Sequence, residues 1–116
     1  MGDGEPKLTV VITATAQREL IRIWDFNAGA GGERVSDGWD TFLRKKIDVL
    51  GVEHYRGRPV KDFPDLKFIS AKKRSRAHGH VILFQVDEQG AMVSVLHLFH
   101  TSQDILGRLS LDEQCP

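Results

Sequence analysis

The chain has 116 residues, 16 basic and 16 acidic, and no formal net charge, so overall charge favours no particular polyanionic partner. One cysteine, Cys115, excludes an internal disulfide framework, and no apolar run approaches the ~20 residues that span a bilayer. These features set the expectation of one domain, residues 1–116, in a reducing cytoplasm with no membrane contact.

Residues 1–6 are small, acidic and Pro-terminated and carry no basic-then-apolar leader pattern; they read as a flexible tail. Lys7 to Thr13 is β-branched and apolar, a first strand, and Thr13 or Thr15 is placed to cap a helix. Ala16, Leu20, Ile23, Trp24 and Asn27 then recur at helical spacing. The run Gly29-Ala30-Gly31-Gly32 breaks that helix; it lacks the Lys-Ser/Thr of a phosphate loop. A second helix is expected over Glu33 to Glu53, with Val35, Trp39, Phe42, Leu43, Ile47 and Leu50 as a wide apolar face and Gly38 as its weak point. The two form an antiparallel helical hairpin.

His54 to Asp65, with two prolines and a glycine, reads as a loop, and Leu66 to Ser70 as a short strand. Ala71 to Ala77 is a basic connection. The segments His80–Val86 and Ala91–Phe99 are apolar, too short for typical helices, and joined by Asp87-Glu88-Gln89-Gly90, the pattern of a β-hairpin. Strict alternation puts Val93, Val95 and Phe99 on one face of the second strand, and Met92, Leu96 and Leu98 on the other. Apolar residues on both faces place this hairpin centrally, covered on both sides. Thr101 to Leu109 reads as a short last helix, and Ser110 to Pro116 as a flexible tail. The whole is an α+β, two-layer arrangement: an N-terminal strand and a long helical hairpin on an antiparallel sheet of about four strands, then a short C-terminal helix.

Charge is unevenly distributed along the chain. Arg56 to His80 holds eight Lys or Arg against two Asp, whereas both flanks are net acidic. Arg58, Lys72, Lys73, Arg74 and Arg76 are thereby candidates to grip a negatively charged target, the alternative being a solvated loop. Four of the five histidines, His78, His80, His97 and His100, cluster near the ends of the two central strands. Cleavage of RNA by its own 2′-hydroxyl needs a base, an acid and positive charge on the phosphate, which His97, His100 and Arg76 could supply. The competing use of strand-end histidines is structural hydrogen bonding. His78-x-His80 offers two ligands on one strand face, but no acid or Cys pairs with it, so neither metal nor cofactor is expected.

This order of elements resembles the RelE/ParE superfamily of toxins from type II toxin–antitoxin pairs, over about Leu8 to Leu109. The residues carrying the likeness are Thr13 followed by Ala16-x-x-Glu19-Leu20-x-x-Ile23, then Gly57-Arg58 with Pro64-x-Leu66-Lys67. The hairpin end Val95-Leu96-His97-Leu98-Phe99-His100 with Asp104-Ile105 completes them. The long hairpin and the Gly-Arg…Pro-x-Leu-basic entry to the sheet are closer to the ParE branch, which is associated with inhibition of DNA gyrase and plasmid stabilisation. The RelE branch cleaves messenger RNA on the ribosome, is commonly basic, and often has a Tyr in the last helix. Here the only Tyr is Tyr55, and His97 and Gln103 stand where an Arg is usual.

The resemblance implies growth inhibition neutralised by a cognate antitoxin, with operator DNA reached only through that antitoxin. The expected target is gyrase, bound without catalysis. The alternatives are a ribosome-dependent RNA endonuclease and an inactive relative kept as a binding partner. Trp24, Trp39 and Phe42 are core residues by composition, or else line a groove for the antitoxin's amphipathic tail.

Overall fold

A computed structural model describes residues 7–60, 62–72 and 79–100. β1 (Thr9–Ile12) leads into α1 (Ala14–Gly31), α2 (Glu33–Asp48), the short α3 (Leu50–Glu53) and a 3₁₀ turn, His54–Arg56. Four strands follow: β2 (Arg58–Val60), β3 (Phe63–Ala71), β4 (His80–Asp87) and β5 (Met92–His100). They form one five-stranded sheet in the order β1-β5-β4-β3-β2. The helical hairpin lies on one face. The α+β class and the N-terminal strand plus hairpin agree with the sequence reading. The expected last helix, Thr101 to Leu109, and both tails lie outside the described residues.

The sheet departs from the expected antiparallel meander in two respects. β1 joins it parallel to β5, Thr9 opposite Met92 through Ile12 opposite Val95. The stretch read as a loop contributes β2, antiparallel to β3, and β3 starts three residues earlier than Leu66. Pro59 and Pro64 argued against strand there; Pro59 is tolerated because β2 is the outermost strand and its missing N–H costs no ladder bond on the open side.

Thr13 joins the first strand to the first helix. Its backbone is extended (φ −64°, ψ 162°), and its Oγ1 accepts a bond from Ala16 N at 3.3 Å, which caps α1. The same hydroxyl and the Thr13 N–H both donate to the carbonyl of Val95, at 2.8 and 3.1 Å. Helix α1 runs through to Gly31, further than the glycine run suggested, and Gly32 alone makes the turn at φ 89°. Trp24 Nε1 donates to Asp37 Oδ1 at 2.9 Å, and the fully buried Ser36 donates to the Trp24 carbonyl. The close approach of the two helices is therefore made at Ser36. α2 ends at Asp48, short of the expected Glu53, and the chain continues through α3.

The main core lies between the hairpin and the sheet: Ala16, Leu20, Leu43, Ile47 and Leu50 against Ile82, Phe84, Val93, Val95 and Leu98. A smaller cluster, Val60, Phe68, Val81 and Leu83 with Leu66, Leu96 and Phe99, occupies the other face. The central hairpin is thus apolar on both sides, as its composition implied. Strict alternation nevertheless misplaces two side chains. Leu83 pairs with His97 and Phe84 with Val95, so Leu96 is an extra residue in β5, a β-bulge. Beyond it the phase reverses. Leu98 falls on the helix face with Val93 and Val95, and Phe99 on the far face with Leu96.

The Gly57-Arg58 pair also gains a reason. A Cβ on Gly57 would stand 2.5 Å from Phe84 Cζ and 2.9 Å from Lys67 Cβ, and Phe84 is fully buried. Gly57→Ala is expected to destabilise the fold by about 1–3 kcal/mol through overpacking, read as a lower urea midpoint at unchanged slope.

Candidate functional site

The positions nominated from sequence are dispersed over the fold. Arg58 is exposed on the outermost strand, its guanidinium 5.7 Å above the Phe68 ring. Lys72 is exposed just after β3. Lys73, Arg74 and Arg76 lie outside the described residues. Trp24 is half-buried and turned toward Asp37, on the side of the hairpin lined by Leu20, Ile21, Asp40 and Arg44. Trp39 and Phe42 meet edge to face at 5.6 Å, and the Lys46 ammonium sits 5.7 Å from the Phe42 ring.

The histidines divide between the two faces of β5. His97 pairs across the sheet with Leu83, on the face away from the helices, and stacks on Phe99 at 5.3 Å. Its Nδ1 lies 3.4 Å from Glu19 Oε2. His100 pairs with His80 on the helix face; their rings meet edge to face at 5.3 Å. Trp39 closes over His80 at 5.5 Å. The expected meeting of strand-end histidines therefore holds for His80 and His100, while His97 belongs to a different environment. His78 lies outside the described residues.

His80 is only 6% exposed. Burial, assisted by the neighbouring His100, pushes its pKa down to about 4. Its Nδ1 is shielded and meets no hydrogen-bond partner among the described residues. It is therefore a neutral ring near pH 7, held without charge at the bottom of a groove of ≈560 Å³. Ile23, Phe26, Trp39 and Leu98 give that groove an apolar lining, with Glu19 and Arg22 among its charged residues. Phe26 is 73% exposed, an unusual setting for so large an apolar ring on a helix end. A second concavity of ≈590 Å³, at the β4–β5 turn, carries Asp65, Asp87 and Glu88 against a single lysine, Lys67, among the described residues.

Sequence reasoning quoted Glu19 as part of a pattern but gave it no role. Its Oε1 accepts the Leu98 N–H at 2.9 Å while Oε2 faces His97. Leu98 is just past the bulge, and β1 pairs with β5 only as far as Val95. Glu19 thus replaces the missing strand partner at that point. The signal available in sequence was a glutamate one helical turn before Ile23, on the flank of the apolar stripe.

A two-layer sheet under an N-terminal helical hairpin defines a fold class that solved structures share. The chain is similar to the chromosomal ParDE toxin–antitoxin system of P. aeruginosa, with TM-score 0.67 and 13% identity over 83% of this chain and 98% of that one. It is also similar to the RelBE2 toxin–antitoxin complex of Mycobacterium tuberculosis, with TM-score 0.55 and 21% identity over 85% and 97%. A mutant of the E. coli toxin RelE in its free state gives TM-score 0.56 and 17% identity over 92% and 97%. A search of curated proteins returns no match. These likenesses establish the RelE/ParE-like fold. The family model for the ParE toxin of the type II toxin–antitoxin system parDE matches residues 10–105, and the chain belongs to that family. Among the described residues no helix is long and apolar enough to cross a membrane.

Two measurements check this geometry. Glu19→Ala leaves the Leu98 N–H without its acceptor and is expected to cost about 1–2 kcal/mol. Glu19→Gln should cost less, and faster hydrogen exchange at the Leu98 amide would report the loss directly. For His80, the folded chain resists protonation down to pH about 4, while the unfolded chain takes a proton near the ordinary histidine value of 6.5. Stability should therefore decline as pH is lowered from about 6.5 to 4, by about 3 kcal/mol at most from this residue. His80→Phe should flatten that part of a denaturation-versus-pH curve.

Proposed function

We propose that this toxin halts growth by binding DNA gyrase in the cytoplasm, without cleaving RNA, and so stabilises the plasmid or chromosomal segment that carries it. The observation that carries the reading is the arrangement of its histidines. General acid–base cleavage needs two proton carriers converging on one phosphate. Here His97 and His100 stand on opposite faces of β5, His97 beside Glu19 and His100 against the neutral His80. The concavity at the β4–β5 turn is acidic and repels a phosphate backbone. The fold likeness to the ParDE system favours the same branch. Arg58 and Lys72, both exposed, are the described cations proposed to meet the target, and Lys73, Arg74 and Arg76 are proposed with them from their sequence positions alone.

The antitoxin, in this reading, covers the groove between α1, α2 and the end of β5. Trp39 lines that groove, Phe42 packs behind it, and Phe26 projects into solvent at its edge. A segment with an amphipathic face bearing two or three apolar side chains fits such a surface. Trp24 serves the hairpin through Asp37 and Ser36. Operator DNA is reached through the antitoxin, since the toxin's net charge is zero.

Expression of the toxin without its antitoxin is the test. Induction of the DNA-damage response with intact messenger RNA is the expected outcome, and a His97→Ala/His100→Ala double variant should still arrest growth. Messenger RNA cut within translated codons, abolished by that double variant, would instead establish the endonuclease. Absence of any growth effect would establish an inactive relative.

A further inference from the structure

The sheet face turned away from the helical hairpin is closed, although none of the described helices contributes a residue to it. Val81 has no exposed surface, Phe68 keeps 1%, and Val60 and Leu83 keep 8%. Every member of that cluster, Leu66, Leu96 and Phe99 included, belongs to the sheet itself. A sheet face open to water leaves the outer side of its apolar side chains wet. Arg58 stands 5.7 Å above the Phe68 ring, but it is exposed and supplies no apolar layer over Val81 and Leu83. Their burial calls for a further layer of apolar side chains. Outside the described residues the chain has Lys61 and the segments 1–6, 73–78 and 101–116. The first offers only Met1 and Pro6 and the second only Ala77, whereas 101–116 offers Ile105, Leu106, Leu109 and Leu111. That segment also begins two residues after Phe99, a member of the cluster.

We propose that residues 101–116 fold back across this face as a built-in cover and screen Arg58 from a charged target. Ile105, Leu106 and Leu109 form one stripe at helical spacing, suited to lie on Phe68, Val81 and Leu83. The reach also fits. From β5 to β2 there are three strand spacings, about 14 Å, and nine helical residues after His100 rise about 14 Å. Asp112 and Glu113 then arrive over β2, where Arg58 stands. The segment carries three acids, Asp104, Asp112 and Glu113, against Arg108 alone, so its charge complements that edge. Arg58 stays exposed, and the acids act on it by charge and not by burial. The groove on the helix side is the poorer seat for this segment, since Phe26 at its edge is 73% exposed while the far face is closed. The cover stands apart from the identity of the target; only the consequence of screening rests on the reading of Arg58 as a target contact.

Cys115 is the single cysteine, so a nitroxide spin label placed there on the full chain reports where the segment lies. The amide resonances of Arg58, Val60 and Phe68 should broaden most, and those of Phe26 and Trp39 least. Strongest broadening at Phe26 and Trp39, or none outside residues 101–116, would overturn the cover. An Ile105→Asp/Leu109→Asp variant of the labelled chain should lose the broadening; broadening that persists means the apolar stripe does not hold the segment, and the proposal fails. Screening is read from affinity for purified DNA gyrase. Asp112→Lys/Glu113→Lys is expected to tighten binding about twofold to fivefold, and the gain should vanish in an Arg58→Ala background. An unchanged affinity, or a gain that survives Arg58→Ala, would overturn the screening. Arg58→Ala alone binding gyrase as well as the wild type would strike the target reading of Arg58 and leave the cover standing.

Discussion

The fold depends on how β5 is held along its first-strand side. β1 reaches only to Val95, and from there two side chains take over: Thr13, the cap of α1, at the Val95 carbonyl and Glu19 of α1 at the Leu98 N–H. Between these two bonds sits the bulge at Leu96. A bulge left with open backbone groups would be a site of slippage, because a one-residue shift reverses every side chain on the strand. Fixing it from both ends commits Leu98 to the core and sends Phe99 to the other face. The same contacts dock α1 against the sheet, so the helical hairpin and the strand register form one arrangement.

The candidate surfaces follow from that register. Had β5 continued without a bulge, His97 would share the helix face with Val93 and Val95, and His100 would point away from Trp39 and His80. With the bulge, His100 meets His80 and completes the groove, while His97 is carried to the opposite face beside Phe99. One extra residue thus separates two histidines that sequence spacing alone treats as a pair. It also creates the setting in which His80 stays neutral near pH 7, since burial between Trp39 and His100 disfavours the charged ring.

The proposed function assigns the antitoxin and the target to separate parts of the fold. Here the apolar groove lies on the helix side near the end of β5, and Arg58 lies on β2, at the far edge of the five-stranded sheet. An apolar groove suits stable capture, and exposed cations suit steering toward a charged target.

Local chemistry was enough to place most elements. The β-branched run before Thr13, a cap at Thr13 or Thr15, the stripe from Ala16 to Ile23 and the two apolar runs around Asp87–Gly90 each express short-range preferences, and the resemblance of their order to a toxin family was legible from them. The sequence also grouped His78, His80, His97 and His100 at the hairpin ends, of which the structure brings His80 and His100 together. The parallel seat of β1 and the strand at Arg58–Val60 were not legible. The former depends on pairing with residues more than eighty positions away, and the latter on tolerance of Pro59 at an open edge. The bulge, the role of Glu19 and the separation of His97 from His100 belong to tertiary structure for the same reason. Each is decided by which backbone groups remain unpaired once the strands and helices are together, a quantity no local window of sequence contains.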